Sequence, residues 1–167
     1  MGALSEPAFD ALAAAGCSAC GGAKLIFRSY VEGSLPVLGG DPVGQMRWSY
    51  DGEAFVDGVF EVACAACKEI VFRAAVCPRC NAEDGLARAL ERPNAWAIPA
   101  ACPACKLEEV RVSAYVPIRV AWEGKRAEKP RTTTEFFDPG FHAFRITCAD
   151  CGPVVEHIGG CPLCGAA

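Results

Sequence analysis

The chain has 167 residues, of which 52% are hydrophobic and 22% charged, with a formal net charge of −4. This length suits one domain or two small ones and excludes a large multidomain enzyme. The apolar content excludes a disordered chain, and no apolar run approaches the roughly 18 residues of a membrane-spanning helix. We therefore expect a soluble protein with no membrane segment.

The first predicted element is a short helix. Ser5 can cap a helix that runs to Ala15 and stops at Gly16. Acidic residues and Pro7 interrupt its apolar positions, and no basic segment precedes it, which is unlike a secretion signal. We therefore expect a cytoplasmic location.

Most of the chain between the cysteines is predicted as strand. β-Branched and aromatic residues concentrate in the segments 25–31, 46–50, 54–63, 110–122 and 141–147. Asp51-Gly52 and Asp138-Pro139-Gly140 predict turns. A second short helix is predicted over Asp84–Glu91, ending before Pro93. We interpret the aromatic residues of these segments as core and sheet packing.

All twelve cysteines occur in C-x-x-C pairs, and none is left over. The pairs are Cys17/Cys20, Cys64/Cys67, Cys77/Cys80, Cys102/Cys105, Cys148/Cys151 and Cys161/Cys164. Secreted disulfide frameworks have more varied spacings, thioredoxin-like dithiols lie beside a βαβ pattern, and c-type haem attachment needs a histidine after the second cysteine. The closely spaced cysteine run of bacterial ferredoxins is absent. The pattern therefore indicates tetrahedral thiolate coordination, with four sulfurs to each metal ion.

Several of these turns resemble the zinc knuckles of zinc-ribbon and rubredoxin-like proteins. Glycine follows the second cysteine in three turns, Cys17–Gly21, Cys148–Gly152 and Cys161–Gly165, and permits the positive φ with which a knuckle passes the metal. Two other turns contain proline, which pre-sets the turn, but carry Asn81 and Lys106 in place of that glycine. The resemblance covers the knuckles alone and implies a metal-binding class rather than a particular family. Zn²⁺ is the predicted ion, and iron is the alternative, because four thiolates suit both.

The cysteine spacing is nearly the same in the two halves of the chain. Cys17/Cys20 recurs as Cys102/Cys105, Cys64/Cys67 as Cys148/Cys151, and Cys77/Cys80 as Cys161/Cys164. Some other positions agree at the same offset, such as Tyr30 with Tyr115 and Phe60 with Phe144. The sequence therefore predicts a tandem duplication in a small, metal-bound, mainly β fold, with short antiparallel sheets and one or two short helices. Residues 1–84 form the first zinc-ribbon repeat, 85–101 a linker with a short helix, and 102–167 the second repeat.

Three pairs per half leave one pair over if each half closes one four-sulfur site. Nine residues separate the second and third pairs of each half, which suits a short ribbon around a hairpin such as Glu69–Val76. We therefore predict the sites Cys64/Cys67/Cys77/Cys80, Cys148/Cys151/Cys161/Cys164 and, on a pseudo-two-fold axis between the halves, Cys17/Cys20/Cys102/Cys105. The alternative joins the first two pairs within each half and sets Cys77/Cys80 against Cys161/Cys164.

Closed four-thiolate sites offer no open position for a catalytic water, and no G-x-S-x-G, H-E-x-x-H or P-loop motif occurs. His142 and His157, the only histidines, are interpreted as ordinary polar residues because every cysteine pair already has a partner pair. The sequence thus predicts a structural zinc protein rather than an enzyme. It would bind another protein as an adaptor, an inhibitor or an assembly subunit.

Two other functions stay open. An iron-loaded form would be a rubredoxin-like electron carrier. A nucleic-acid-binding form would use the basic cluster Arg119, Lys125, Arg126, Lys129 and Arg131, which Glu123 and Glu128 dilute. Three zinc–tetrathiolate sites would lower the formal charge from −4 to −10, which disfavours nucleic acid. Redox sensing through zinc release is a further possibility.

Overall fold

The computed structural model describes residues 4–48, 52–91, 100–132, 142–156 and 160–167. In chain order the elements are α1 (Glu6–Ala15), β1 (Lys24–Leu38), β2 (Asp41–Pro42), β3 (Arg47–Trp48), α2 (Gly52–Asp57), β4 (Val59–Cys64), β5 (Ile70–Arg73), α3 (Gly85–Glu91), β6 (Glu109–Glu123), β7 (Arg126–Ala127), β8 (Arg131–Thr132), β9 (His142–Cys148) and β10 (Gly152–Glu156). The fold is mainly β with few short helices, as predicted. No helix of the described segments is long and apolar enough to span a membrane.

The strands of the described segments belong to one antiparallel sheet that contains strands from both halves of the chain. The main path is β10-β9-β6-β1-β4-β5, with β2 and β3 paired to β1 and with β7 and β8 paired to β6. The long strands β1 and β6 pair along their whole length, from Lys24 opposite Glu123 to Leu38 opposite Glu109. Residues of the predicted repeats 1–84 and 102–167 therefore share a continuous ladder at the centre of the sheet.

The β1–β4 and β6–β9 ladders have corresponding registers. Leu25 pairs with Cys64 in the first ladder, and Val110 pairs with Cys148 at the equivalent position of the second. A bulge interrupts both ladders, between Arg28 and Ser29 in one and at the corresponding step, between Ser113 and Ala114, in the other.

The centre of the β1–β6 ladder follows the same correspondence. Val31 lies opposite Val116, which is its own counterpart in the second half of the chain. Each pair on one side of this point therefore corresponds to a pair on the other side: Lys24 opposite Glu123 corresponds to Leu38 opposite Glu109. The two ends of the central ladder are equivalent in position although their residues differ.

One face of the central strands is covered by α1 and α2. Leu25 and Phe27, alternate residues of β1, are buried there in one cluster with Phe9 and Phe55, as expected for a strand with period two. Phe9 of α1 lies 4.4 Å from the ring centroid of Phe27 and 5.0 Å from that of Trp122, and Phe55 of α2 stacks on Trp122. This aromatic cluster fixes both helices against the sheet.

The predicted helices are confirmed. Ser5 precedes α1, and Gly16, with φ 69°, ends it. The helix predicted over Asp84–Glu91 is α3, which buries Leu86 and Ala89.

The strand prediction for 54–63 is wrong in its first half, where the chain forms α2. The aromatic and β-branched residues there are buried by a helical turn instead of a strand, and Ser29 Oγ donates a 2.7 Å hydrogen bond to the Phe55 carbonyl. A strand resumes after Gly58, where a Cβ would collide with the Tyr30 carbonyl oxygen. Of the segment 46–50, the described part contains only β3 as strand. The predicted turns are not tested, because Asp51 and 138–140 lie outside the described residues.

Candidate metal centres

The fold gathers all twelve cysteines into three groups of four. The groups are Cys17/Cys20/Cys64/Cys67, Cys102/Cys105/Cys148/Cys151 and Cys77/Cys80/Cys161/Cys164. Within each group all four Sγ atoms lie within 4.8 Å of one another, so that each group could hold a metal ion. We refer to them as the first outer site, the second outer site and the shared site.

The pairing predicted first is therefore wrong, and the alternative pairing is the one observed. Cys17/Cys20 lies at the Leu25 end of the central ladder, and Cys102/Cys105 lies at its Val110 end, opposite Val37. Leu25 and Val37 are twelve residues apart on β1, or about 40 Å at the rise of a strand. Cys17/Cys20 and Cys102/Cys105 therefore cannot share one ion.

Antiparallel pairing of β1 with β4 assembles the first outer site. The chain leaves the knuckle of Cys17 and Cys20 and enters β1, whose first residues pair with the last residues of β4, where the next knuckle begins. The Ala65 N–H also donates a 3.0 Å hydrogen bond to the Lys24 carbonyl. The second outer site forms in the same way, from the start of β6 and the end of β9.

The predicted short ribbon does not form because β5 runs away from the knuckle that precedes it. Arg73 pairs with Glu61, so the chain has already travelled back along β4 before it reaches Cys77. Nine residues are too many for a tight turn here and enough for a strand. The Cys77/Cys80 pair is carried to its counterpart from the other half of the chain.

The sulfur spacings fit tetrahedral coordination. Four sulfurs at 2.3 Å from one ion are about 3.8 Å apart. The measured Sγ–Sγ distances are 3.6 Å for Cys17–Cys67 and Cys20–Cys64, 4.0 Å for Cys102–Cys151, 3.5 Å for Cys105–Cys148, 3.8 Å for Cys77–Cys161 and 3.5 Å for Cys80–Cys164. A disulfide would need about 2.05 Å, and all twelve cysteines are free thiols. The spacing does not separate zinc from iron.

The knuckles share one backbone pattern. The N–H of the residue after the second cysteine donates to the carbonyl of the first, as Gly21 does to Cys17 at 2.8 Å and Asn81 to Cys77 at 2.8 Å. Every one of the six turns has a positive φ at this residue: Gly21, Lys68, Asn81, Lys106, Gly152 and Gly165. The resemblance to zinc knuckles therefore extends to backbone conformation.

Two knuckles adopt this conformation with lysine rather than glycine. Lys68 has φ 65° and Lys106 has φ 67°, a region that L-residues other than Asn and Asp enter at a cost. The Lys68 ammonium donates to the Ala65 carbonyl at 2.6 Å, and the Lys106 ammonium donates to the Pro103 carbonyl at 3.1 Å. Each lysine thus binds back to its own turn.

Thiol pKa values diverge within the outer sites. Backbone N–H donation from Cys67 lowers the pKa of Cys64 to about 6, and donation from the Cys105 N–H lowers that of Cys102 to about 7. By contrast, the hydrogen bond with Cys105 raises the pKa of Cys151 to about 12. Four thiolates repel one another at these distances, and a divalent cation at the centre is what would allow all of them to ionise.

The shared site shows the same divergence in a more buried setting. The hydrogen bond between Cys77 and Cys161 lowers the pKa of Cys161 to about 4, and the same bond raises the pKa of Cys77. Cys77, Cys161 and Cys164 are buried, and only Cys80 is exposed. Each outer site has two buried and two exposed cysteines. The shared site is therefore the least accessible of the three to solvent.

Helix α3 packs directly against the shared site. A Cβ on Gly85 would collide with the Cys77 Cβ and lie 2.7 Å from the Cys77 backbone nitrogen. Leu86 and Ala89 continue the contact into the core. The segment predicted as part of a linker thus contains a helix that supports a knuckle.

Arg79, which sequence reasoning did not single out, joins the Cys77–Cys80 turn to both central strands. Its Nη2 donates to the Tyr30 carbonyl and, at 3.4 Å, to the Ala54 carbonyl. Its guanidinium lies 4.9 Å from the centroid of the Tyr115 ring. Burial lowers the pKa of Arg79, and its Nε has no partner in the described structure. The one signal in the sequence that could have identified Arg79 is its position as a positively charged residue between the two cysteines of a C-x-x-C pair.

The histidines are not needed to complete any of the three groups, because each already has four sulfurs. His142 is the first residue of β9, and His157 lies outside the described residues. Of the predicted basic cluster, Arg119 lies on β6, Arg126 on β7 and Arg131 on β8, and both short strands fold back on β6. Lys125 and Lys129 lie in the connections before β7 and before β8. Comparison with protein-family models, with curated proteins and with solved structures finds no match to this chain.

Proposed function

We propose that each of the three four-cysteine groups holds one Zn²⁺ ion and that the protein is a non-catalytic module, stabilised by zinc, that binds another protein. The observation that carries the proposal is the closed geometry of the sites: four sulfurs at tetrahedral spacing leave no coordination position for water or substrate. The metal would therefore hold elements together rather than perform chemistry.

The energetic scale supports a structural role. A structural Zn²⁺ contributes about 10–16 kcal/mol in zinc-finger peptides at neutral pH, whereas a whole domain is stable by about 5–15 kcal/mol. Each outer site ties the end of one strand to the start of another, and the shared site joins cysteines from opposite halves of the chain. Loss of one ion can therefore unfold a large part of the sheet.

We further propose that the chain is a tandem duplication with a pseudo-two-fold axis through the centre of the β1–β6 ladder. The corresponding registers of the two halves support it, as does the pairing of Val31 with Val116. The shared site fits this symmetry, because Cys161 and Cys164 are the counterparts of Cys77 and Cys80.

The sheet edges support a role in protein binding. The main path of the sheet ends at β5 and at β10, whose outer backbone groups could pair with a strand of another chain. Ile70, the first residue of β5, is 42% exposed. An exposed apolar side chain on a terminal strand is a suitable contact for such a partner.

Metal identity is the first test. Native mass spectrometry and absorption spectroscopy of the purified holoprotein should give a colourless protein with one zinc per cysteine group. A red preparation that bleaches on reduction would show a ferrous/ferric centre and would replace this proposal with electron transfer.

Partner binding is the second test. Affinity capture with the zinc-loaded protein should retain a protein that is lost with Ile70→Lys. It should be kept with Leu90→Lys, a matched change at an apolar side chain of α3 that is 56% exposed. Equal capture by both variants, or substrate turnover in an activity screen, would contradict the proposal.

A further inference from the structure

One end of the sheet carries a row of arginines across adjacent strands. Arg28 of β1 lies opposite Arg119 of β6, and Arg119 lies opposite Arg131 of β8. On the other side, Arg28 pairs with Glu61, which pairs with Arg73. Residues directly opposite one another share a face, so all five side chains belong to the same face. We call Arg28, Arg119, Arg131 and Arg73 the arginine row.

Glu61, the carboxylate that lies between Arg28 and Arg73, is already bound by both of them. Glu61 accepts a 3.0 Å hydrogen bond from Arg28 Nη1 and another, of 3.1 Å, from Arg73 Nε. Among the described residues, the side chains of Arg119 and Arg131 make no ion pair or hydrogen bond. Like charges placed directly opposite each other destabilise a ladder. Glu61 offsets the charges of Arg28 and Arg73, whereas Arg119 lies between two arginines with no described ion pair of its own.

A shallow pocket of about 190 Å³ adjoins the row. It is lined by Ile26, Arg119, Ala121, Glu128, Lys129 and Arg131. Ile26 lies opposite Ala121 and contributes an apolar lining beside the cationic side chains. The Glu128 carboxylate is paired with Lys24. The volume is below the roughly 300–1,000 Å³ typical of pockets for whole drug-sized ligands, and it suits a small charged group.

The opposite end of the central ladder shows that the fold does not require these arginines. The counterparts of Arg119 and Arg28 are Ser34 and Ser113, which lie opposite each other in the same ladder. There the ladder forms with two small neutral side chains. Arg47 of β3 lies opposite Ser34 just as Arg131 lies opposite Arg119, so it is the directly opposed pair Arg28 and Arg119 that only one end carries. This pair occurs in a chain whose net charge is negative.

We propose that the arginine row and the adjoining pocket bind a phosphoryl group. Arginine offers a planar fork of N–H donors that matches phosphate oxygens, and two or three such forks neutralise a dianion. Neighbouring strands are about 4.8 Å apart, so the guanidinium groups of Arg119 and Arg131, with Lys129 of the pocket lining, can converge on one group. The phosphoryl group belongs to a small phosphate-bearing molecule or to inorganic phosphate. A nucleic-acid backbone is disfavoured because the acidic remainder of the protein repels a long polyanion.

The test is a titration of the metal-loaded protein with inorganic phosphate, followed by calorimetry and by backbone amide shifts, at constant ionic strength. We expect saturable binding with a Kd tighter than about 1 mM, with shifts confined to β1, β6 and β8 near Arg119. Arg119→Ser copies the residue found at the equivalent position and should weaken binding by about tenfold or more. Arg131→Ser should act in the same direction.

The matched control is Arg111→Ser, which removes an exposed arginine from the same face of β6 at the other end of the ladder and should leave the Kd unchanged. Each variant is compared only after metal content and melting temperature match those of the parent protein. A phosphate titration without saturable binding would overturn the proposal. So would a phosphate affinity of Arg119→Ser and Arg131→Ser equal to that of the parent protein. Binding of a short single-stranded RNA more tightly than phosphate, with a steep salt dependence, would overturn it in favour of nucleic acid.

Discussion

At the scale of single residues, the backbone conformation of the knuckles sets a cost that side chains only partly relieve. Lys68 and Lys106 occupy a left-handed conformation in which four of the six knuckles have glycine or asparagine. Non-glycine residues there carry strain of about 1–2 kcal/mol. The lysine ammonium groups bind local carbonyls, but such exposed contacts contribute little.

Lys106→Gly should therefore stabilise the protein. Relief of strain exceeds the added chain entropy of glycine, and we expect a gain of about 0.5–1 kcal/mol, or a few degrees in melting temperature. Thermal denaturation at saturating metal measures it. Lys106→Ala is the control, since it removes the ammonium contact but keeps the strained Cβ. A melting temperature for Lys106→Gly at or below that of Lys106→Ala would count against this account.

Arg79 should be the most costly arginine to remove. Arg79→Ala deletes two charge-assisted hydrogen bonds and a cation–π contact from a half-buried position, for an expected loss of about 2–3 kcal/mol in unfolding free energy. Chemical denaturation measures the loss. Arg88→Ala, which removes an exposed arginine bonded to the Glu83 carbonyl, should cost under about 0.5 kcal/mol. Equal effects of the two substitutions would refute a bridging role for Arg79.

At the scale of elements, the strand period and the helix boundaries could be predicted from the sequence, and the contacts of short segments could not. The strand predicted over 110–122 is β6. Helix α1 begins directly after Ser5, although the Ser5 side chain makes no capping hydrogen bond. The segment 54–57 has the composition of a strand, but its aromatic side chain reaches the core through a helix because the Tyr30 backbone lies close to Gly58. Tertiary contacts of this kind leave no local signal.

The α3 packing gives a test at this scale. Gly85→Ala places a Cβ in collision with the Cys77 Cβ, so either the helix or the knuckle must move. We expect the variant to lose affinity for the metal of the shared site, with both outer sites loaded. Metal counting by native mass spectrometry after mild chelation distinguishes the sites. A fully loaded variant with unchanged melting temperature would show that α3 does not support the site.

At the scale of the whole molecule, the cysteine arithmetic predicted sites of four sulfurs and a site between the halves, but it placed the wrong pair there. The nine-residue spacing favoured a local ribbon, whereas the long antiparallel ladder separates Cys17 and Cys102 to opposite ends of the sheet. Spacing reports chain length between ligands. It does not report strand direction, which decides which ends meet.

Burial of the sites predicts an order of metal release. The outer sites each expose two cysteines, and the shared site exposes only Cys80. A chelator in excess should therefore remove the two outer ions first and the shared ion last, in two resolved phases followed by native mass spectrometry. Release of the shared ion first, or of all three in one step, would contradict this order.

The central claim is that the cysteines form three groups with the observed membership, and metal counting on paired variants tests it most directly. Cys20→Ser/Cys67→Ser removes two ligands of one site and should leave two ions bound per chain. Cys20→Ser/Cys105→Ser removes one ligand from each outer site and should leave only the shared ion. The reverse result, with two ions in Cys20→Ser/Cys105→Ser and one in Cys20→Ser/Cys67→Ser, would show that Cys17/Cys20 pairs with Cys102/Cys105 and would contradict the account.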